Sequence, residues 1–153
     1  QKKKGGKGKS APRPDACPCG SKLAYADCCG KYHSGEVEPT PVATMRARFS
    51  AYCKALPQYV VDSTHPDCPL EAEFRQEDGS FSEGLLKEAS AFSDEYEFQK
   101  LSILQASPPA PDAMEARVVF KVWYVLKDAP GEQQTMTENS IFRKRDGKWL
   151  YYD

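Results

Sequence analysis

The sequence predicts an α+β fold, with helices packed on one face of an antiparallel sheet. Three observations carry that reading. Apolar residues recur at helical spacing between Val42 and Leu56, and a second helical pattern follows Ser82. Beyond Glu95 the period changes from helical to two. The chain then closes on two alternating segments joined by Asp146-Gly147, a tight-turn hairpin signal.

Taken in order, residues 1–14 read "QKKKGGKGKSAPRP", with six of the 21 basic residues and no acid. A segment of this kind buries too little apolar surface to offset its ordering entropy and is expected to be a disordered basic tail. The remaining residues carry 15 basic and 22 acidic groups, a balance of −7, which opposes a broad nucleic-acid-binding face. The chain starts without Met, which fits removal of a targeting peptide.

In the body, Thr40 is the expected N-cap of a first helix, with Pro41 at its first position. Val42, Met45, Phe49, Tyr52, Cys53 and Leu56 form its apolar stripe, Arg46, Arg48 and Lys54 take other faces, and Pro57 ends it. "PQYVVDST" opens a short second helix and "SEGLLKEASAFSDE" a third, capped by Ser82. "YEFQKLSILQAS", "AMEARVVFKVWYVLK", "QTMTENSIFRKR" and "KWLYYD" read as strands, with "SPPAPD" and "DAPGEQ" as loops. "ARVVFKVWYVL" is too short to cross a membrane and carries Arg117 and Lys121, so no transmembrane segment is expected.

The chemistry concentrates in "CPCGSKLAYADCC", where Cys17, Cys19, Cys28 and Cys29 crowd into thirteen residues. A disulfide framework fits poorly, because neighbouring cysteines and a pair one residue apart make awkward bridges. A metal fits better: zinc takes four thiolates tetrahedrally, and two short loops supply them here. Gly20 permits the sharp turn in the first loop. His33, four residues beyond Cys29, is the alternative fourth ligand. Cys53 is expected as a buried core thiol and Cys68 as a free thiol in a turn, with a bridge between them as the alternative.

The pattern C-x-C-x8-C-C, with Gly20, Ser21, Tyr25 and Gly30 in place, resembles the SEC-C zinc motif. "CPCGSKLAYADCCGKYHSG" is closer still to the YchJ-like family, as are the segments 39–66 and 138–153. Lys22 stands where that family usually has glycine. The resemblance implies a SEC-C motif over residues 15–38 and a nuclear transport factor 2-like domain over 39–153, its curved sheet wrapped around helices in a cone. It also implies a structural zinc ion.

The expected function is a non-enzymatic protein-interaction module, an accessory or assembly factor docking on a larger protein complex. The rim of the knob would supply Lys22, Lys31, Tyr32 and His33. By resemblance to the motif in SecA, which contacts a chaperone and the ribosome, a protein-handling role is implied. The first alternative is a small-molecule binder or enzyme using the cone pocket. Asp62, His65 and Asp67 in "VDSTHPD" would be its acid–base candidates, with Tyr59 and Tyr124 as pocket donors. Capping or turn structure accounts for the Asp and His equally well. The second alternative is contact with the ribosome or another RNA through tail and knob. Thiolate chemistry points to an intracellular, reducing compartment. The plastid stroma fits if the basic start follows a transit peptide.

Overall fold

The computed structural model describes residues 14–153, so all of the basic tail except Pro14 lies outside the described residues. A one-turn 3-10 helix, Tyr25–Asp27, leads into α1, Cys29–His33. Then come α2, Pro41–Cys53, α3, Pro57–Asp62, a 3-10 segment at Pro69–Phe74, and α4, Glu83–Glu95. Four strands complete the chain: β1, Tyr96–Gln105, β2, Glu115–Leu126, β3, Ala129–Arg145, and β4, Lys148–Tyr151. They form one antiparallel meander in the order β1-β2-β3-β4.

The core lies between α2 and the sheet. Met45 and Phe49 of α2 meet Leu101, Val118, Phe120, Val122, Phe142 and Trp149. The even-numbered positions 118, 120 and 122 share one face because side chains alternate along a strand. Register shifts between Phe98 and Lys100, Ile103 and Gln105, and Tyr124 and Leu126 are bulges, which bend and twist a sheet.

Several local expectations are corrected. The segment "DAPGEQ" is mostly strand: β3 begins at Ala129, and Leu126 pairs with Ala129 across the turn. The backbone at the end of β2 needs partners, and Ala129 of this segment pairs with Leu126 there. Pro130 is tolerated because β4 pairs only with residues 142–145, which leaves this part of β3 at an edge. The first helix ends at Cys53, not near Pro57, because Ala55 turns into the left-handed region at φ 52°. Thr40 caps α2 by accepting from the Ala43 N–H at 3.1 Å. The Ser82 hydroxyl makes no such bond at α4.

α2 is the central element rather than an amphipathic surface helix. Its apolar stripe faces the sheet, but Ala47, Ser50 and Ala51 are also fully covered and Arg48 is buried. Thr44 donates to the Trp149 carbonyl at 2.9 Å on the sheet side. Ala47 packs against the cysteine cluster, and Ala51 against Val60 and Ala89 of α3 and α4. Small residues at these positions let three neighbours approach the helix closely, so it is enclosed on every side.

Candidate functional site

The residues of the cysteine segment fold back on themselves before they meet α2. The Cys17 N–H donates to the Leu23 carbonyl, and Ala16 bridges Ala24, which closes the first loop. Gly20 takes φ 82° at its tip. Gly30 sits at the start of α1 against the Tyr25 carbonyl, where an added Cβ would come within 2.6 Å of that oxygen. Any other residue would push α1 and its Cys29 out of place. Lys22 adopts φ 70°, the left-handed region that costs an L-residue about 1–2 kcal/mol. That is the physical reason a glycine suits this position.

This folding gathers the four thiols. All four sulfur atoms lie within 4.8 Å of one another, and all four cysteines are buried. Cys19 Sγ is 3.6 Å from Cys28 Sγ, and Cys28 Sγ is 4.0 Å from Cys29 Sγ. A tetrahedron with bonds of about 2.3 Å has edges of about 3.8 Å, so this cluster matches the spacing of a four-thiolate metal site. A disulfide needs about 2.05 Å between sulfurs, and all six cysteines are free thiols. The arrangement can therefore hold a metal ion such as zinc through Cys17, Cys19, Cys28 and Cys29.

The electrostatics show why such an ion suits the site. Four thiols this close cannot all ionise unaided. The hydrogen bond from Cys29 holds the Cys19 thiol well below its usual range, and the same bond, with burial, pushes Cys29 up. A divalent cation removes that conflict by stabilising every thiolate at once. Ser21 Oγ lies 3.1 Å from Cys28 Sγ and Ser50 Oγ lies 3.5 Å from Cys17 Sγ, so two hydroxyls stand ready to donate to sulfur.

His33 is not among the gathered ligands. Its Nε2–H donates to the Ala47 carbonyl at 2.8 Å, and its Nδ1 accepts from the Tyr25 hydroxyl. Burial holds its pKa below the usual value, which favours the neutral imidazole. It ties the knob to α2 and rests edge-on against Tyr59, with ring centroids 4.6 Å apart. Arg46 Nη1 donates to the Cys19 carbonyl at 2.9 Å, and the Lys54 ammonium sits 4.1 Å from the Tyr25 ring centroid. Ser50, Arg46 and Lys54 are not recognisable as supports from the motif, because they lie on α2 or at its C-cap and not in the motif. On the outer rim, Lys22 and Leu23 are exposed, while His33 is turned inward.

The cone encloses a separate cavity of about 360 Å³. None of the acid–base candidates lines it. Asp62 is exposed and accepts from Gln58 Nε2 at 2.8 Å. His65 is buried in its own turn, where Nδ1 accepts from the Asp67 N–H at 3.0 Å and the ring stands edge-on to Tyr152. Asp67 is exposed. The Tyr59 hydroxyl donates to Glu38 at 2.7 Å, on the knob side of α3. The Tyr124 hydroxyl donates to Gln134 across the exposed sheet ladder. The polar groups that do line the cavity are Arg48, Glu71, Glu88 and Glu138, together with Tyr52, Thr64 and Tyr151. The helical spacing puts Arg48 on a face of α2 other than the apolar stripe. Only the packing of α3, α4 and the sheet around that helix turns it inward.

Known proteins agree with this architecture. Residues 40–153 match the family model described as YchJ, middle NTF2-like domain, and residues 13–31 match the SEC-C motif. A UPF0225 protein from Deinococcus radiodurans is 38% identical over 138 residues, covering 90% of this chain and 86% of that protein. One from Xanthomonas campestris is 34% identical over 139 residues, covering 91% and 93%. The solution structure of a SEC-C motif containing protein from Rhodopseudomonas palustris superposes with a TM-score of 0.71 at 27% identity, covering 90% of this chain and 95% of that one. The crystal structure of a sec-c motif containing protein from Psychrobacter arcticus gives 0.68 at 24% identity, covering 92% and 81%, and shares the fold. With helices laid on a four-stranded antiparallel sheet and four thiols gathered in front of them, the chain belongs to the YchJ (UPF0225) family, a SEC-C motif joined to an NTF2-like domain.

Proposed function

We propose that this chain is a non-enzymatic protein-interaction module, an accessory or assembly factor that docks on a larger protein complex through a zinc-bound knob. The observation that supports this reading is the closed thiol cluster: four protein ligands fill a tetrahedral zinc shell and leave no open position for a substrate. Soft thiolates favour zinc over magnesium, calcium or manganese. The ion then serves to hold a short, core-poor segment rigid. The rim this segment presents favours a protein partner over RNA. Lys22, Leu23 and Asp27 are all exposed there, so the surface is mixed in charge with an apolar centre. Leu23 itself is 53% exposed. A reducing intracellular compartment belongs to the same proposal, because the thiolates must be kept from oxidation.

The test is capture of the tagged chain from its own cells, with the complex sized and its contacts mapped by crosslinking. Leu23→Asp is expected to abolish a defined complex while zinc content stays near one ion per chain. Leu104→Asp, on an equally exposed leucine of β1, is expected to leave the complex intact. A chain that runs alone, or a complex indifferent to Leu23→Asp, overturns the proposal.

A further inference from the structure

The cone cavity is lined by a buried cation that has no carboxylate in salt-bridge contact with it. Arg48 is 8% exposed and lines the cavity. Its Nη1 donates to the Val60 carbonyl at 2.9 Å, to Ser63 Oγ at 2.8 Å and to Thr64 Oγ1 at 3.0 Å. The guanidinium lies 4.6 Å from the Tyr151 ring centroid. Among the described residues, Nε and Nη2 have no hydrogen-bond partner, and no carboxylate lies within 4.0 Å of the group. Ser93 Oγ, not an Arg48 nitrogen, is the fully buried side-chain polar atom without a partner among the described residues, so Nε and Nη2 are reachable from the cavity and free to meet a ligand there. Arginine presents those donors as a planar fork that suits a carboxylate.

The rest of the lining describes the remainder of the partner. Phe49, Phe98 and Phe120 form apolar walls, and the rings of Phe92 and Phe98 stack with centroids 6.0 Å apart. Leu70, Phe92 and Met136 line the same cavity and yet are 60%, 46% and 37% exposed, which marks its mouth. Three carboxyl groups also face the space, Glu71, Glu88 and Glu138. Burial and the neighbouring Glu88 keep the Glu71 carboxyl protonated to about pH 7, so near neutrality it offers a donor as well as a charge. Arg48 is the charged lining residue that is itself buried and keeps unused donors toward the space, so the ligand's head group that pairs with it is an acceptor.

We propose that the cone cavity binds a small carboxylic acid with an apolar body. Its carboxylate pairs with Nε and Nη2 of Arg48, and its apolar end runs past Phe92 toward Leu70 and Met136. The site is separate from the cysteine knob and does not depend on what the knob docks to.

The zinc-loaded full chain is titrated with octanoate and, in parallel, with octylammonium, and followed by NMR shifts of Met136, Leu70 and Tyr151. Octanoate is expected to shift all three saturably, and Arg48→Met to weaken its binding by at least about tenfold. Arg48 also holds α3, so Leu70→Asp serves as a second variant. It lies at the exposed mouth, leaves the fold untouched, and is expected to weaken octanoate by about threefold through a charge beside the apolar body. Binding of octylammonium in preference to octanoate overturns the proposal in favour of a cationic ligand drawn by the three glutamates. No saturable octanoate shift, or octanoate binding unchanged by Leu70→Asp, overturns it outright.

Discussion

Four thiols in the knob and one guanidinium in the cone are both polar chemistry taken out of water, yet the two regions handle it differently. In the knob the groups are neighbours in sequence and face one another, with sulfurs as close as 3.6 Å. One divalent ion can satisfy them all, which would leave nothing for a further ligand. In the cone the groups come from α2, α4, the 3-10 segment and the strands, and they surround a space instead of filling it. Arg48 keeps donors in reserve. The lesson is that crowded reactive side chains in a sequence favour a closed structural centre, whereas an open site is assembled from residues that look unremarkable in line.

The sharpest way to break the contrast is to remove a thiol. Cys28→Ser is expected to eliminate bound zinc, measured by metal analysis, and to unlock the amides of residues 15–38 in hydrogen exchange. Structural zinc contributes on the order of 10–16 kcal/mol in small fingers, which is more than this short segment recovers from packing alone. The β2 and β3 amides are expected to stay protected. Because Ala47 and Ser50 of α2 lie against the cluster, the cone should also lose a few kcal/mol, about 5–10 °C in melting temperature for a chain of this size. Collapse of sheet protection together with the knob would show that the two regions form one cooperative unit.

A smaller effect separates the cavity from the knob by pH. Glu71 titrates near pH 7 in the folded chain, raised first by burial and then by Glu88, against about 4.5 for an ordinary glutamate. The folded state therefore holds this proton more tightly than the unfolded state. Its contribution to stability is fully present below about pH 4.5 and is lost as pH rises toward 7. Glu71→Gln keeps a neutral group there at every pH. It is expected to match the parent near pH 4.5 and to exceed it at pH 8 in urea denaturation, with zinc content unchanged. Equal stability differences at both pH values would mean that the carboxyl is solvated and the cavity open to water.

The smallest effect lies in the knob's turn. Lys22→Gly removes left-handed strain at φ 70° and is expected to stabilise the knob by about 1 kcal/mol or less, since glycine also gains freedom in the unfolded chain. Slower zinc loss to a chelator is the measurement. Faster loss would show that the Lys22 side chain supports the site more than its backbone strains it.

Much of this protein was legible before any packing was known. The change of period after Glu95 placed the sheet, Thr40-Pro41 placed the start of α2, and Asp146-Gly147 placed the last hairpin. These are local signals, governed by capping, strand alternation and positive φ, and they act within a few residues. The cysteine spacing belongs to the same class, because its two ligand loops lie within one short segment. Ser82 failed as a side-chain cap because a suitable residue type does not guarantee the rotamer. "DAPGEQ" was missed as strand because the pairing that recruits it comes from β2. The acid–base candidates drew attention as a close Asp-His-Asp group, but the α3 turn spends them on its own backbone and on the surface. What only the tertiary structure decided was the environment of α2. Its sequence marks a stripe toward the sheet, yet the knob, α3 and α4 cover its other faces. An arginine that lies off the apolar stripe in the sequence thereby becomes the buried charge of the cavity, because burial depends on what packs from elsewhere in the chain and helical periodicity reports only one neighbour at a time.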